Sequence, residues 1–244
     1  MRGAIKGSSF FTSFNILLAI ISKPLLSSKG WGIVALSLSL KLPLQKRTKP
    51  PMQEATQEKS IESEFDFTKL TSICYQDTDP NYHEHLETYM YDQDFDTVWD
   101  SYVNISPERA WSGRMIHFHQ LYSRQSGEEV FPGQVYTGGM GEGQVLILNL
   151  HVFNGAIKLV VGHEVMEIDK SKKLIRICYL ENSKSEGSQF IRFKSLPNGK
   201  TEVSHKTFYR SGSWFRDKVI YPYFHTKAIN EFHGNVRNWI ISKA

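Results

Sequence analysis

Apolar positions change their period along this chain. Phe95, Val98, Trp99 and Tyr102 recur at three- and four-residue spacing, which predicts one face of a helix, with Asp94 placed as its N-cap. Ser106-Pro107-Glu108 opens a second short helix with proline at the first helical position, and Trp111 closes it near Gly113. Leu86 to Tyr91, ahead of both, has the aromatic and β-branched content of a first strand. From Met115 to Arg210 the period becomes two, in segments Gln144 to Phe153, Ala156 to Ile168, Leu174 to Leu180, Gln189 to Lys194 and Thr201 to Arg210. Asp169 to Lys172 and Pro197-Asn198-Gly199 separate strands as hairpin turns. In the last three strands one face reads Ile175, Ile177, Tyr179, then Gln189, Ile191, Phe193, then Val203, His205, Thr207, Tyr209. The opposite face carries Arg176, Arg192, Lys194, Glu202 and Lys206, so it meets water.

Helical spacing returns from Ser213 to Ile241. Phe215, Val219 and Tyr223, then Phe224, Ala228, Phe232, Val236 and Ile240, stand four apart, with Ser213 as the cap. Pro222 falls inside this run, and an interior proline costs a helix about 3 kcal/mol, which predicts a kink or a break into two helices.

Composition narrows the class. The 244 residues are 40% apolar and 22% charged, the profile of a folded protein large enough to bury a core without disulfides or a structural metal. Two cysteines, Cys74 and Cys178, form no C-x-x-C pair and no disulfide framework, which is compatible with a reducing compartment.

The net charge of +4 is the sum of unlike parts. Residues 1 to 53 hold eight of the 29 basic residues and no acid, so the remainder has 29 − 8 = 21 basic against 25 acidic residues. A basic balance that comes entirely from the N-terminal extension gives no reason to expect nucleic acid as a partner. The apolar run Phe10 to Ser22 is shorter than the ~20 residues that span a bilayer. Residues 1–51 therefore read as a targeting peptide or as an over-called start ahead of Met52. Residues 52–83 read as linker and irregular segment, and 84–244 as the folded domain. A start at Met52 implies a cytoplasmic protein. A real extension implies membrane association or targeting through 1–51, the only circumstance in which membrane contact is expected.

Strand, two short helices, a long antiparallel sheet and one long C-terminal helix make an α+β order that resembles the START/Bet v 1-like superfamily. This superfamily, also called SRPBCC or polyketide cyclase-like, has the helix-grip fold, an antiparallel sheet wrapped around the last helix. The Trp99 and Trp111 helix pair carries the resemblance, together with the glycine-rich loop Thr137 to Gly143 leading into a strand. So does the Pro197-Asn198-Gly199 hairpin before the terminal helix. Tyr221-Pro222-Tyr223 looks like a plant and bacterial branch of that superfamily for which no activity is established. The resemblance implies an apolar cavity between sheet and helix. Tyr136, His163, Tyr179, Phe193, His205, Tyr209 and Tyr223 are the residues expected to line it.

Sharper chemistry finds less support. Gly139-x-Gly141-x-Gly143 precedes a strand and lacks a Gly-Lys-Ser/Thr, so it reads as a flexible hairpin at the cavity entrance and no nucleotide cofactor is expected. His83-Glu84-His85 and His117-Phe118-His119 each offer two imidazoles on one side of a strand without a closing ligand, so no metal is assigned. His163 and His205 have the titration range for acid–base work, but sequence gives them no positioned partner, and no catalytic residue is named. Three readings follow. The first is binding or transport of an apolar or amphipathic small molecule, lipid or polyketide-like. The second is a cyclase, dehydratase or hydrolase that uses a cavity His and Tyr. The third is a structural or membrane-associated module whose cavity is packed shut.

Overall fold

A computed structural model describes residues 69–243. The N-terminal extension, and the linker as far as residue 68, lie outside the described residues.

Nine strands form one antiparallel sheet: β1 Ser72–Ile73, β2 His83–Tyr91, β3 Ile116–Ser123, β4 Glu129–Val130, β5 Gln144–Val152, β6 Ile157–Asp169, β7 Leu174–Leu180, β8 Glu186–Ser195 and β9 Thr201–Arg210. Their order is β2-β9-β8-β7-β6-β5-β3-β4, with β1 attached to β7. Two short helices, α1 Phe95–Asn104 and α2 Pro107–Ala110, follow β2, and the long helix α3 Tyr221–Lys243 ends the described chain. This is the expected helix-grip architecture, an antiparallel sheet with a long C-terminal helix.

Local chemistry explains the elements. Asp94 caps α1 by accepting from the Thr97 N–H at 2.9 Å, and Pro107 stands at the start of α2. The register shifts between Phe118 and Gln120 in β3 and between Val165 and Glu167 in β6, and bulges of this kind bend a sheet around what it covers. The covered element is α3. Phe232, Val236 and Ile240 join one buried cluster with Val98, Trp99 and Tyr102 of α1 and with Leu146, Val165, Ile177, Ile191 and Val203 of the sheet.

The helix does not break into two at Pro222. A π-helical turn, Arg216–Ile220, runs directly into α3, with the Tyr221 N–H bonded to the Arg216 carbonyl. An i→i+5 turn carries one more residue than an α-turn. Pro222 has no N–H to place in the helical ladder, so the irregularity falls where the ladder is already interrupted. Ser213 does cap the run, its hydroxyl accepting from the Arg216 N–H at 3.4 Å.

The glycine-rich loop is docked on α1. The Met140 N–H donates to the Val103 carbonyl at 2.7 Å, and a Cβ on Gly139 would stand 1.9 Å from that oxygen and 2.7 Å from the Asn104 Cα. Gly139→Ala must therefore push the loop off α1. A cost of about 1–3 kcal/mol is expected, read as a lower denaturant midpoint, and an unchanged midpoint would show the contact to be dispensable.

The sheet's outer face is not uniformly wet. The irregular segment before β2 crosses it: Ser72 and Ile73 pair with Leu180 and Tyr179, and the Tyr75 ring stacks on Phe208 at 4.1 Å. Cys74 is bonded to Cys178, a cross-link where the sequence offered no disulfide framework. Cys178 alternates with the inward residues Ile177 and Tyr179, so it points to the outer face, and it is fully buried there beneath this segment. Among the described residues no helix is long and apolar enough to cross a membrane.

Candidate ligand site

β9 turns Val203, His205, Thr207 and Tyr209 inward, all of them buried. Opposite, α3 presents Tyr221, His225 and His233, one helical turn apart and then two. Histidines and tyrosines from both sides meet between sheet and helix in three groups.

The first group is a closed chain. Tyr91 Oη and Tyr102 Oη are 2.8 Å apart, Tyr102 Oη bonds to His233 Nδ1, His233 Nε2 is 2.9 Å from His205 Nδ1, and His205 Nε2 is 2.9 Å from Gln189 Oε1. The Gln189 carbonyl oxygen can only accept, which sets the direction of every bond. His205 Nε2–H donates to it, His233 Nε2–H donates to His205 Nδ1, and the Tyr102 hydroxyl donates to His233 Nδ1. Both imidazoles are neutral and use both nitrogens. Burial depresses their pKa values, that of His205 to about 3 and that of His233 well below the ordinary 6.5, with charge repulsion among neighbouring histidines adding to the effect.

The second group leads outward. The Thr226 hydroxyl donates to Glu87 Oε1 at 2.9 Å and accepts from His85 Nε2–H at 2.9 Å. That leaves His85 Nδ1 to accept from His225 Nδ1–H at 3.1 Å, and His225 Nε2 lies 3.5 Å from the Thr207 hydroxyl. His225 is held well below its ordinary pKa by burial first and by the other histidines second.

The third group is incomplete. Tyr179 and Tyr221 are joined hydroxyl to hydroxyl, and the Tyr221 ring is sandwiched between Tyr209 at 3.7 Å and His225 at 4.8 Å. His163 lies beside Tyr179, ring centroids 4.7 Å apart, and is 7% exposed. Both of its nitrogens are buried and neither has a hydrogen-bond partner. Desolvation lowers its pKa to about 4, so it is a neutral donor and acceptor with nothing to bond.

Of the residues expected to line the site, His163, Tyr179, His205 and Tyr209 come together here. Phe193 belongs to the same buried face but packs against Trp99 and Tyr102 of the core. Tyr136 lies apart in the glycine-rich loop, its hydroxyl accepting from Gln144 Nε2 at 3.0 Å. Tyr223 does not line the interior. It is 57% exposed and borders an open surface groove with Pro222, Thr226 and Lys227, because in the regular helix two residues turn it about 200° away from Tyr221, whose face continues through His225, Ile229 and Phe232. His85, Gln189, His225 and His233 were not foreseen at the site. The signal for two of them was present, since Tyr221, His225, Ile229, Phe232, His233 and Val236 also share one helical face.

The paired histidines do not gather into a metal centre. His83 turns to Asp217 at 4.0 Å while His85 meets His225, and the β3 bulge separates His117 from His119, with His117 against His151 at 4.0 Å between ring centroids. Among the described residues no three His, Cys, Asp or Glu side chains are placed to hold a metal ion.

No family model and no curated protein matches this sequence. Solved structures do match. Ara h 8.0201 covers 66% of this chain with 99% of its own, at 12% identity and a TM-score of 0.45. Norcoclaurine synthase from Thalictrum flavum covers 80% of this chain with 99% of its own, at 9% identity and a TM-score of 0.47. The KanY protein covers 65% with 97% of its own, at 16% identity and a TM-score of 0.45.

Proposed function

We propose that the domain binds a small apolar or amphipathic molecule between the concave face of the sheet and α3. The observation that carries this reading is His163. A buried imidazole with two unpaired nitrogens costs about 1–3 kcal/mol for each unmet group, and a guest that supplies the partner removes that cost. The other polar groups between sheet and helix are largely engaged with one another, and aromatic and apolar side chains surround them.

Binding is favoured over turnover on the same scaffold. A general base needs a free nitrogen and a neighbour that orients it. His205, His225 and His233 have their nitrogens engaged in the two chains, and His163 has the free nitrogens but no hydrogen-bonded neighbour. The buried carboxylate of Asp217 is occupied by Ser211.

Fluorescence titration of the full-length protein with N-phenyl-1-naphthylamine, a neutral apolar dye, tests the reading. Saturable one-to-one binding in the micromolar range is expected, displaced by any compound that co-purifies with the protein in native mass spectrometry. A linear, unsaturable signal together with a ligand-free native mass would overturn it.

A further inference from the structure

We infer that the bound molecule carries a carboxylate head, received by Arg216 together with His163 and the Tyr179–Tyr221 pair. This rests on the binding reading above and specifies the chemistry of the guest.

Arg216 opens the π turn, and the Tyr221 N–H closes that turn on its carbonyl, so the two side chains stand one turn apart on the same face. Tyr221 faces the interior, bonded to Tyr179, and Tyr179 touches His163. His163, Tyr179 and Tyr221 thus form one row of contacts, and Arg216 stands one helical turn from its end.

The Arg216 side chain is only 15% exposed, and its Nε and Nη2 are buried with no acceptor. Asp217 Oδ1 lies 4.0 Å from Nε, too far for a hydrogen bond, and that carboxylate already accepts from the Ser211 N–H at 2.9 Å and from the Ser211 hydroxyl. A guanidinium that has lost its water and found no bidentate partner is costly to keep, and a planar carboxylate is the partner its fork fits.

The rest of the row is also rich in donors. Two phenols bonded to each other use one hydroxyl proton between them, which leaves the second to donate. Neutral His163 brings one N–H. The row thus offers two guanidinium N–H groups, a phenol O–H and an imidazole N–H, and its one carboxylate, Asp217, is already engaged. A guest rich in acceptor oxygens completes these bonds, while a neutral hydroxyl or ester does so only in part. The apolar part of the guest would run along the same concave face, where Leu146, Val165, Ile177 and Ile191 are buried.

The test compares cis-parinaric acid with its methyl ester, by ligand fluorescence on the full-length protein. The acid is expected to bind at least about tenfold more tightly, the ~1.4 kcal/mol expected of a charge-assisted contact. Arg216→Gln should erase that ratio by weakening the acid far more than the ester. Arg216→Lys keeps the charge but loses the fork, and should leave a ratio between the two. It also serves as the reading if Arg216→Gln fails to fold. Equal binding of acid and ester by the wild type would overturn the carboxylate anchor and leave the binding function standing. A tenfold ratio that survives both substitutions would overturn the role of Arg216. Absence of saturable binding by acid and ester alike would overturn the binding function, and the anchor with it.

Discussion

Acidification from pH 7 to about pH 5 unfolds this domain. His163, His205, His225 and His233 are buried and neutral, each with its pKa depressed below the ordinary 6.5 mainly by desolvation. Above pH 7 neither the folded nor the unfolded chain protonates them, and their contribution to stability is complete. As the pH falls through 6.5 the unfolded chain takes up protons that the folded chain refuses. Stability is therefore lost with falling pH until the folded pKa values, about 4 for His163 and about 3 for His205, are reached. At pH 5 the linkage amounts to about 2 kcal/mol each for His163 and His205, and His225 and His233 add to it in the same direction, against the 5–15 kcal/mol that holds a typical domain together. Far-ultraviolet circular dichroism against pH should show a cooperative transition centred near pH 5 with an apparent uptake of three or more protons. His163→Phe, which removes one of these sites, should shift the midpoint down and reduce the uptake by about one proton. A native spectrum that persists to pH 4 would show that the histidines are protonated in the folded state, and that the neutral hydrogen-bond chains are wrong.

Why so many histidines are tolerated in this interior follows from how they are joined. Tyr102, His233 and His205 each accept and give in one direction, and the chain ends on the Gln189 carbonyl oxygen, so neither imidazole has a nitrogen without a partner. Protonating either imidazole forces two donors to face one another. The same low dielectric that strengthens the neutral chain makes that charged state costly.

The inward face of β7 to β9 was readable from the sequence because a strand has a period of two and does not drift. Ile175, Ile177, Tyr179, Gln189, Ile191, Phe193, Val203, His205, Thr207 and Tyr209 are all buried as that alternation requires. The terminal helix was readable as an element but not in its phase. Phe215, Val219 and Tyr223 stand four apart, but Val219 and Tyr223 are exposed, and the buried face is the one that Ile229, Phe232, His233 and Val236 mark, with Tyr221 and His225 in the same phase. The partners of His205 were hidden for a related reason. His225 and His233 lie some 20 to 28 residues further along a different kind of element, and only the fold brings them to β9. The overlay on the outer face was equally silent, since a two-residue strand has no period.

Reduction of the Cys74–Cys178 bond should cost this protein a large part of its stability. The two residues are separated by 104 positions, and in the chain-entropy account a cross-link closing a loop of about 100 residues contributes about 4–5 kcal/mol by restricting the unfolded chain. The bond also fastens the segment that covers the outer face. That segment is also held by the short β1 pairing, the Thr71 N–H bonded to Glu181 Oε1 at 2.9 Å, the Tyr75 N–H to Ser188 Oγ bond of 2.8 Å, the stacking of Tyr75 on Phe208, the Ser72 hydroxyl bonded to Glu164 Oε2 at 2.6 Å and the Arg210–Asp79 ion pair. It pairs with the sheet over two residues, so a reduced chain should release the segment before the sheet itself opens. Cys74→Ser, Cys178→Ser and the double variant should lower the urea midpoint to a similar extent, because removing either end removes the whole cross-link. Dithiothreitol should lower the wild-type midpoint and leave the variants unchanged. Hydrogen exchange should then report faster amides in residues 70–82 under reducing conditions, with β8 and β9 protected as before. Two free thiols on titration of the denatured, unreduced protein, or a wild-type midpoint indifferent to reductant, would show that the cross-link does not form. The outer-face segment would then be held by its non-covalent contacts alone, and the domain would be compatible with a reducing compartment.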